Sequence, residues 1–203
     1  MTVSGEGMVT TGPDMAVITA GVLSENKSLQ VAQSENSVRS QKVIDALLQL
    51  GISREDIQTV EYRINNMYDY VDGKQIFRGY EVRHLLEVQV SDISQVGKVV
   101  DTVIANGANI IYNIRFDTSR RTELYNEALT KALQDAISKA ESLAKSLNVQ
   151  LNRIPFEITE SQTTIGPIIP YQTFAVEKVA GASTPIEPGT LEIKAVLLAK
   201  FYY

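Results

Sequence analysis

The sequence contains no cysteine, no tryptophan and a single histidine among its 203 residues. Without cysteine the chain can form no disulfide, no thiolate nucleophile and no cysteine-based metal site. One histidine, His84, cannot supply a cluster of imidazole ligands or a pair of catalytic imidazoles within one chain. The absence of cysteine suits an oxidising compartment as well as a reducing one, so it does not decide where the protein works.

The chain also lacks an excess of basic residues and any long apolar run. Its 19 Lys and Arg against 24 Asp and Glu give a net charge of −5 at pH 7, whereas sequence-independent binding of nucleic acid needs clustered Lys and Arg. No apolar segment reaches the roughly 18 residues of a membrane-spanning helix. The first residues, MTVSGEG, show neither a basic nor an apolar signal segment. We therefore expect a cytosolic protein, or an exported one whose signal has been removed.

The strongest pattern that is present predicts a long helix over residues 120–147. Its alanines recur at a spacing of four, and we call them the alanine ridge: Ala128, Ala132, Ala136, Ala140 and Ala144. Residues four apart lie above one another on a helix, so the ridge is narrow and nearly flat. A helix of this length spans about 40 Å and can lie close against a sheet or another helix. Ser119 is the expected N-cap, and Asn148 the expected left-handed end.

Residues 15–116 predict the element order βαββαβ, the ferredoxin-like split βαβ arrangement. The predicted strands are residues 15–23, 57–70, 75–90 and 109–116, and the predicted helices are residues 26–50 and 92–106. The pair Asp72-Gly73 separates the second and third strands, and Asp-Gly between strand-like runs is a strong hairpin signal. The first helix is polar in its middle, SENSVRSQ, on every side. The second begins at Asp92, a good N-cap residue.

Further segments extend this unit. We expect an N-terminal strand at residues 2–10, with close backbone approach or a bulge at Gly5 and Gly7. After the long helix we expect strands at residues 153–159 and 190–203, separated by a loop at residues 160–189 that holds four of the six prolines. We predict this loop to be mobile or ordered only by a partner.

In the last strand every odd-numbered residue is apolar or aromatic, so that face must cover a core. Val196 and Leu198 lie on the opposite face, where we expect the long helix or a neighbouring subunit to cover them. The fold class is therefore α+β. We treat residues 1–203 as a single domain, with the βαββαβ unit at residues 15–116 and the remaining helix, loop and strands at residues 117–203.

Several short stretches together resemble the SIMPL-domain family of bacteria. They follow one another along the chain as Val3-Ser4-Gly5-Glu6-Gly7, Pro13-Asp14-Met15-Ala16, Gly51-Ile52, Asp56-Ile57-Gln58-Thr59, Gly79-Tyr80-Glu81-Val82, Gly107-Ala108-Asn109, the alanine ridge and Pro188-Gly189. The resemblance covers essentially the whole chain and departs from the family at Asn148, where a glycine is expected. It implies a protein of the periplasm or cell surface, linked to stress tolerance and oligomeric assembly, with no established enzymatic activity. It carries over no catalytic residue and no cofactor.

Two groups of residues are candidates for an interaction surface. Arg120 and Arg121 open the long helix, where they could bind an anion together with the positive helix end or lie solvated or ion-paired. Tyr68 and Tyr70 near the hairpin turn, and Tyr171 in the proline-rich loop, have amphipathic side chains that are common in protein interfaces. Cross-strand packing would also account for tyrosines beside a hairpin.

Other residues carry no catalytic signal. His84 alternates onto the apolar face of its strand, which is typical of a core histidine with a hydrogen-bond partner. Carboxylates are plentiful, but no pair is marked by its spacing as catalytic. Our leading hypothesis is a non-enzymatic protein of the cell envelope that forms homo-oligomers and acts through protein contacts, without cofactor, nucleic acid or transmembrane segment. The alternatives are a binding module for a small anion or peptide, and an enzyme built from carboxylates and tyrosines.

Overall fold

The computed structural model describes residues 1–161 and 184–203. Its elements, in chain order, are β1 (Thr2–Thr11), β2 (Met15–Asn26), α1 (Leu29–Gln49), β3 (Ile57–Val71), β4 (Lys74–Val90), α2 (Val96–Ala105), β5 (Ile110–Asp117), α3 (Arg121–Leu147), β6 (Glu157–Ser161) and β7 (Leu191–Lys200). This mixture of helices and antiparallel sheets confirms the α+β class. Most of the proline-rich loop, including Tyr171, lies outside the described residues.

The described chain forms two compact units. One contains residues 1–13, 118–161 and 188–203, and it holds β1, α3, β6 and β7. The other contains residues 14–117 and 184–187, and it holds the elements β2, α1, β3, β4, α2 and β5. The order βαββαβ predicted for residues 15–116 is therefore observed within the second unit.

The second unit is an antiparallel sheet with strand order β3-β4-β2-β5, packed against α1 and α2. Its core consists of alternate residues of β2 and β4 and the apolar stripes of the two helices. The fully buried members are Ala16, Ile18, Val22, Val43, Leu47, Val88, Val90, Val96, Val99 and Val103. Apolar residues that recur every second position in the strands and about every 3.6 positions in the helices thus pack together in one core.

Two polar residues in the middle of α1, Asn36 and Ser40, are buried, whereas most of that segment is exposed. Asn36 is completely buried, and its Nδ2 donates to the carbonyls of Val22 in β2 and Val82 in β4, both at 2.9 Å. Ser40, also buried, donates from Oγ to Asn36 Oδ1 at 3.3 Å. A buried amide is tolerated when its donors are satisfied, so Asn36 fastens the helix to two neighbouring strands.

The hairpin between β3 and β4 extends beyond the rest of its sheet. Its turn residues have left-handed backbones, Asp72 at φ 50° and Gly73 at φ 75°, as the Asp-Gly signal predicted. Strand β2 pairs with β4 only as far as Tyr80, opposite Asn26. From residue 67 to residue 79 the hairpin is therefore a two-stranded ribbon, which we call the hairpin ribbon.

The first unit places α3 on one face of a three-stranded antiparallel sheet, with order β1-β7-β6. Most odd-numbered residues of the predicted last strand are buried as expected: Leu191, Ile193, Ala195, Leu197, Ala199 and Phe201. The strand ends earlier than predicted, at Lys200, and Tyr203 is 66% exposed. The expectation that α3 covers Val196 and Leu198 is wrong, because the helix packs on the odd-numbered face. Leu198 is 40% exposed in this structure.

Strand β1 and the alanine ridge approach each other without side chains between them. A Cβ atom added at Gly5 would lie 1.9 Å from the carbonyl oxygen of Ala132, and one added at Gly7 would lie 2.0 Å from that of Ala128. The close backbone approach predicted from these glycines is confirmed. The pairing of β1 with β7 has no register shift from Thr2 to Thr11, so the predicted alternative of a bulge does not occur.

Three side chains of α3 cover the outer edge of β1, and we call them the edge seal: Lys131, Asp135 and Lys139. Lys139 Nζ donates to the carbonyl of Ser4 at 3.2 Å, and the N–H of Glu6 donates to Asp135 at 2.9 Å. Lys131 Nζ lies 3.4 Å from a further carbonyl of the same strand. The hydrogen bond from Lys139, and then that from the Glu6 N–H, lower the pKa of Asp135. These contacts occupy backbone N–H and C=O groups of β1 that could otherwise pair with another strand.

Two predicted boundaries are wrong for local reasons. The N-cap of α3 is Arg120 rather than Ser119, and the Arg120 N–H donates to the Thr118 hydroxyl at 3.3 Å. The strand predicted at residues 153–159 begins only at Glu157, because Pro155 lacks the N–H that a sheet ladder needs. The left-handed end at Asn148 is confirmed, with φ 54°.

The alanine ridge leads to a prediction about stability. Ala136 is completely buried against the sheet, so Ala136→Leu overpacks this contact. We expect the variant to lower the free energy of unfolding by about 1–3 kcal/mol, measured by denaturant titration. Ser138→Leu, at an exposed position of the same helix, is the matched control and should change it by less than about 0.5 kcal/mol. Equal denaturant midpoints for the two variants would contradict the packing.

Candidate functional site

The β3–β4 hairpin carries a concentration of large exposed apolar side chains. We call these residues the hairpin surface: Val60, Tyr62, Ile64, Tyr68, Tyr70, Val71, Ile76 and Phe77. They are exposed because β3 ends its sheet and because the hairpin ribbon pairs with no third strand among the described residues. They lie on both faces of the hairpin, and such a concentration of exposed apolar side chains favours an interaction site.

Aromatic contacts across the strands hold the hairpin ribbon in shape. The rings of Tyr68 and Phe77 lie edge to face with centroids 5.7 Å apart, and those of Phe77 and Tyr80 likewise at 5.1 Å. Edge-to-face pairs stabilise such contacts beyond simple burial of area. Tyr70, next to the turn, is 76% exposed. The ribbon thus presents aromatic side chains from an ordered backbone.

His84 lies at the base of the hairpin, half-buried beside β3. Its Nε2 is 3.0 Å from the Thr59 hydroxyl. This contact is a hydrogen bond of the kind that the sequence predicts for His84, although the sequence does not identify the partner. The ring of Tyr62 packs edge to face against it, with centroids 5.5 Å apart. Partial burial removes water from the imidazole and lowers its pKa below the ordinary value. The neutral ring is therefore the form that the folded protein favours.

This environment predicts a pH dependence of stability. Because the pKa of His84 is lower in the folded chain than its ordinary value of 6.5, the unfolded chain binds more protons just below that pH. The contribution of neutral His84 to the free energy of unfolding is therefore complete above pH 6.5. It is lost as the pH falls through 6.5 towards the pKa of the folded chain. We expect the free energy of unfolding to decline more between pH 7 and pH 5 for the natural chain than for His84→Gln. Parallel pH profiles would contradict this.

Charged side chains lie on the face of β3 and β4 opposite to the one that carries Tyr62 and His84. Arg63 Nε is 3.7 Å from Glu61 Oε1, and Arg83 is 3.5 Å from Glu81. The sheet register places Arg63 directly opposite Arg83, an arrangement of like charges that disfavours pairing. Glu61 Oε1 and Arg83 Nε are buried atoms without a hydrogen-bond partner in the described part of the chain.

The predicted interaction residues belong to different units of the described chain. Tyr68 and Tyr70 lie in the hairpin ribbon of the second unit, both exposed. In the first unit Arg120 is the N-cap of α3 and Arg121 is its first residue, and Arg120 Nη1 lies 4.0 Å from Glu123 Oε1. Tyr171 lies outside the described residues.

Sequence reasoning missed the apolar members of the hairpin surface and the charge pattern beside it. The available signal was the presence of large apolar residues on both strands near the turn, including Ile76 and Phe77, where a solvated hairpin would be polar. Among residues 1–161 and 184–203, no group of three His, Asp or Glu side chains is arranged to hold a metal ion. No helix in those ranges is long and apolar enough to cross a membrane.

Comparison with known proteins identifies the family. The family model for SIMPL, described as a protein of unknown function (DUF541), matches residues 1–201. The 26 kDa periplasmic immunogenic protein of Brucella melitensis is 34% identical over 131 residues, which are 62% of this chain and 52% of that protein. The uncharacterized protein YggE of Escherichia coli K12 is 28% identical over 111 residues, 55% of this chain and 45% of that one. The chain spans about half the length of these curated relatives. By the family match along nearly its entire length, the chain belongs to the SIMPL family.

Proposed function

We propose that this SIMPL protein is a non-enzymatic component of the cell envelope that acts through protein contacts, including contacts with further copies of itself. The observation that carries the proposal is the hairpin surface, with its eight large exposed apolar side chains on two paired strands. A two-stranded ribbon is at best marginally stable alone in water. Covering its apolar side chains with a protein partner would remove them from water and stabilise it.

The construction of the hairpin suits recognition. Its strands are paired from Ile57 to the turn at Asp72, and the Tyr68, Phe77 and Tyr80 rings pack across them. A surface that is already ordered loses less conformational entropy when it binds. Aromatic residues are enriched at the energetic centres of protein interfaces. These features favour a binding surface over a solvated loop.

The cellular setting is proposed from the relatives. The Brucella melitensis protein is named as periplasmic, and a chain without cysteine can work in an oxidising compartment without forming unwanted disulfides. We place this protein in the periplasm or at the cell surface on that basis. A part in stress tolerance rests on the family resemblance alone.

Light scattering coupled to size-exclusion chromatography tests self-assembly. We expect the purified chain, at micromolar to millimolar concentration, to have a mass of at least twice the 22.4 kDa of one chain. We expect Tyr62→Ser to reduce the assembled fraction, because Tyr62 is 47% exposed on the hairpin surface. Tyr112→Ser, which changes a 71% exposed tyrosine of β5, is the matched control and should behave like the natural chain. A single species of 22.4 kDa over that range would contradict self-assembly.

A further inference from the structure

We propose that the outer edge of β3 pairs with β3 of a second copy, antiparallel and around a two-fold axis at Tyr62. The inference rests on the proposed self-assembly and names the surface that carries it. Such a contact joins two four-stranded sheets into one sheet of eight strands, in the order β5-β2-β4-β3 followed by the same strands reversed. Edge-to-edge addition of this kind is a recurrent mode of protein recognition.

The first argument is that this edge is open whereas another edge of the molecule is closed. Strand β3 is 15 residues long, contains no proline and ends its sheet. In the described part of the chain no side chain hydrogen bonds to its backbone, whereas the edge seal occupies the backbone of β1. Natural sheets usually block long edges with charge, proline, a bulge or a covering element; β3 has one extra residue, Val60, between Thr59 and Glu61, and alternates regularly from Glu61 to Val71. An edge left open while another is closed is a candidate for pairing.

The second argument is charge complementarity about an axis at Tyr62. A two-fold axis perpendicular to the sheet opposes residues that point to the same face. With Tyr62 on the axis, Glu61 lies opposite Arg63 of the partner subunit, and Arg63 lies opposite Glu61 of the partner subunit. A shift of the axis to Glu61 or to Arg63 would instead oppose two carboxylates or two guanidinium groups. Opposite charges across strands stabilise a sheet and like charges destabilise it, so Glu61 and Arg63 favour an axis at Tyr62 over one at either neighbouring residue.

The third argument is that this register adds contacts that are incomplete within one chain. Arg63 is opposed by Arg83 and, among the described residues, forms an ion pair only with Glu61 of its own chain, at 3.7 Å, so a second carboxylate from the other copy would further offset that repulsion. Glu61 Oε1 has no hydrogen-bond partner among the described residues, and a guanidinium group of the second copy provides donors for it. The exposed side chains of Tyr62 and Ile64 become covered by the corresponding apolar residues of the partner strand.

Charge reversal with mixing tests this contact. Glu61→Arg gives a chain with two arginines at the axis, and Arg63→Glu gives one with two glutamates, so each variant repels its own copy. Like charges in an interface are strongly unfavourable, and we expect the dissociation constant of the contact to rise at least about 100-fold in each variant. In an equimolar mixture every opposed pair is again Arg with Glu. We expect the mixture to regain the mass of the natural assembly in light scattering.

The control is Lys194→Glu, which alters a similar exposed pair of charges two residues apart, Glu192 with Lys194 in β7, and should keep the natural mass. Circular dichroism and thermal unfolding confirm that each variant is folded. Single variants that keep the natural mass, or lose it without recovery on mixing, would overturn the β3 contact while leaving self-assembly intact. A natural chain that is monomeric throughout would overturn self-assembly and the contact together.

Discussion

Gly5→Ala and Gly7→Ala are each expected to lower the free energy of unfolding by about 3 kcal/mol, the upper end of overpacking effects. The added Cβ would lie 1.9 Å from the Ala132 carbonyl in the first variant and 2.0 Å from the Ala128 carbonyl in the second. Both obstacles are backbone atoms of α3, so no side-chain rotation relieves the clash. The helix must move away from β1, and the packing of the alanine ridge and the edge seal would loosen together.

Gly12→Ala is the control for both glycine variants. A Cβ at Gly12 meets no atom within 4 Å, so its effect on the free energy of unfolding should be smaller than about 0.5 kcal/mol. Urea titration followed by circular dichroism measures all three. If the Gly5 and Gly7 variants unfold at the same urea concentration as Gly12→Ala, the close contact of β1 with α3 is not formed in solution.

Asn36→Leu is the second substitution with a large expected effect, about 3 kcal/mol of lost stability. Leucine is similar in size but cannot donate to the carbonyls of Val22 and Val82, which Asn36 contacts at 2.9 Å. Both carbonyls would remain buried without that donor, and leaving buried polar groups without partners costs more than the mean value of a hydrogen bond. Ser40 would also lose its acceptor.

The matched control is Gln33→Leu, the same kind of amide-to-leucine change at an exposed position of α1. We expect it to change the free energy of unfolding by less than about 0.5 kcal/mol. Thermal and denaturant unfolding of both variants compare the stability lost at a buried, hydrogen-bonded asparagine with that lost at an exposed position of the same helix. Similar losses in the two variants would show that Asn36 owes its burial to something other than these hydrogen bonds.

Local patterns in the sequence predict much of the fold. Alternation along residues 75–90 predicts the buried face of β4, the Asp72-Gly73 pair predicts the hairpin turn, and the spacing of the alanine ridge predicts the packed face of α3. Each of these signals depends on residues that are close in the chain, either adjacent along a strand or on successive turns of one helix. Hydrophobic periodicity therefore reports them directly.

Features that depend on distant contacts could not be predicted in this way. The burial of Asn36 depends on carbonyls of β2 and β4, and the edge seal joins Lys139 to Ser4, 135 positions earlier. For the candidate site, Tyr68 and Tyr70 are exposed, and their role in an interaction surface stays a prediction. The significance of Glu61 and Arg63 emerges only once β3 is known to end its sheet.

Hydrogen exchange of the intact natural chain at several protein concentrations tests self-assembly through β3 most directly. Backbone amides that face the open edge are protected only when a second strand is paired with them. We predict that peptides covering residues 61–66 exchange more slowly as the concentration rises through the range of assembly, while peptides from β1 keep a constant rate. Exchange of residues 61–66 that does not change with concentration, in a protein that light scattering shows to be associated, would contradict the account.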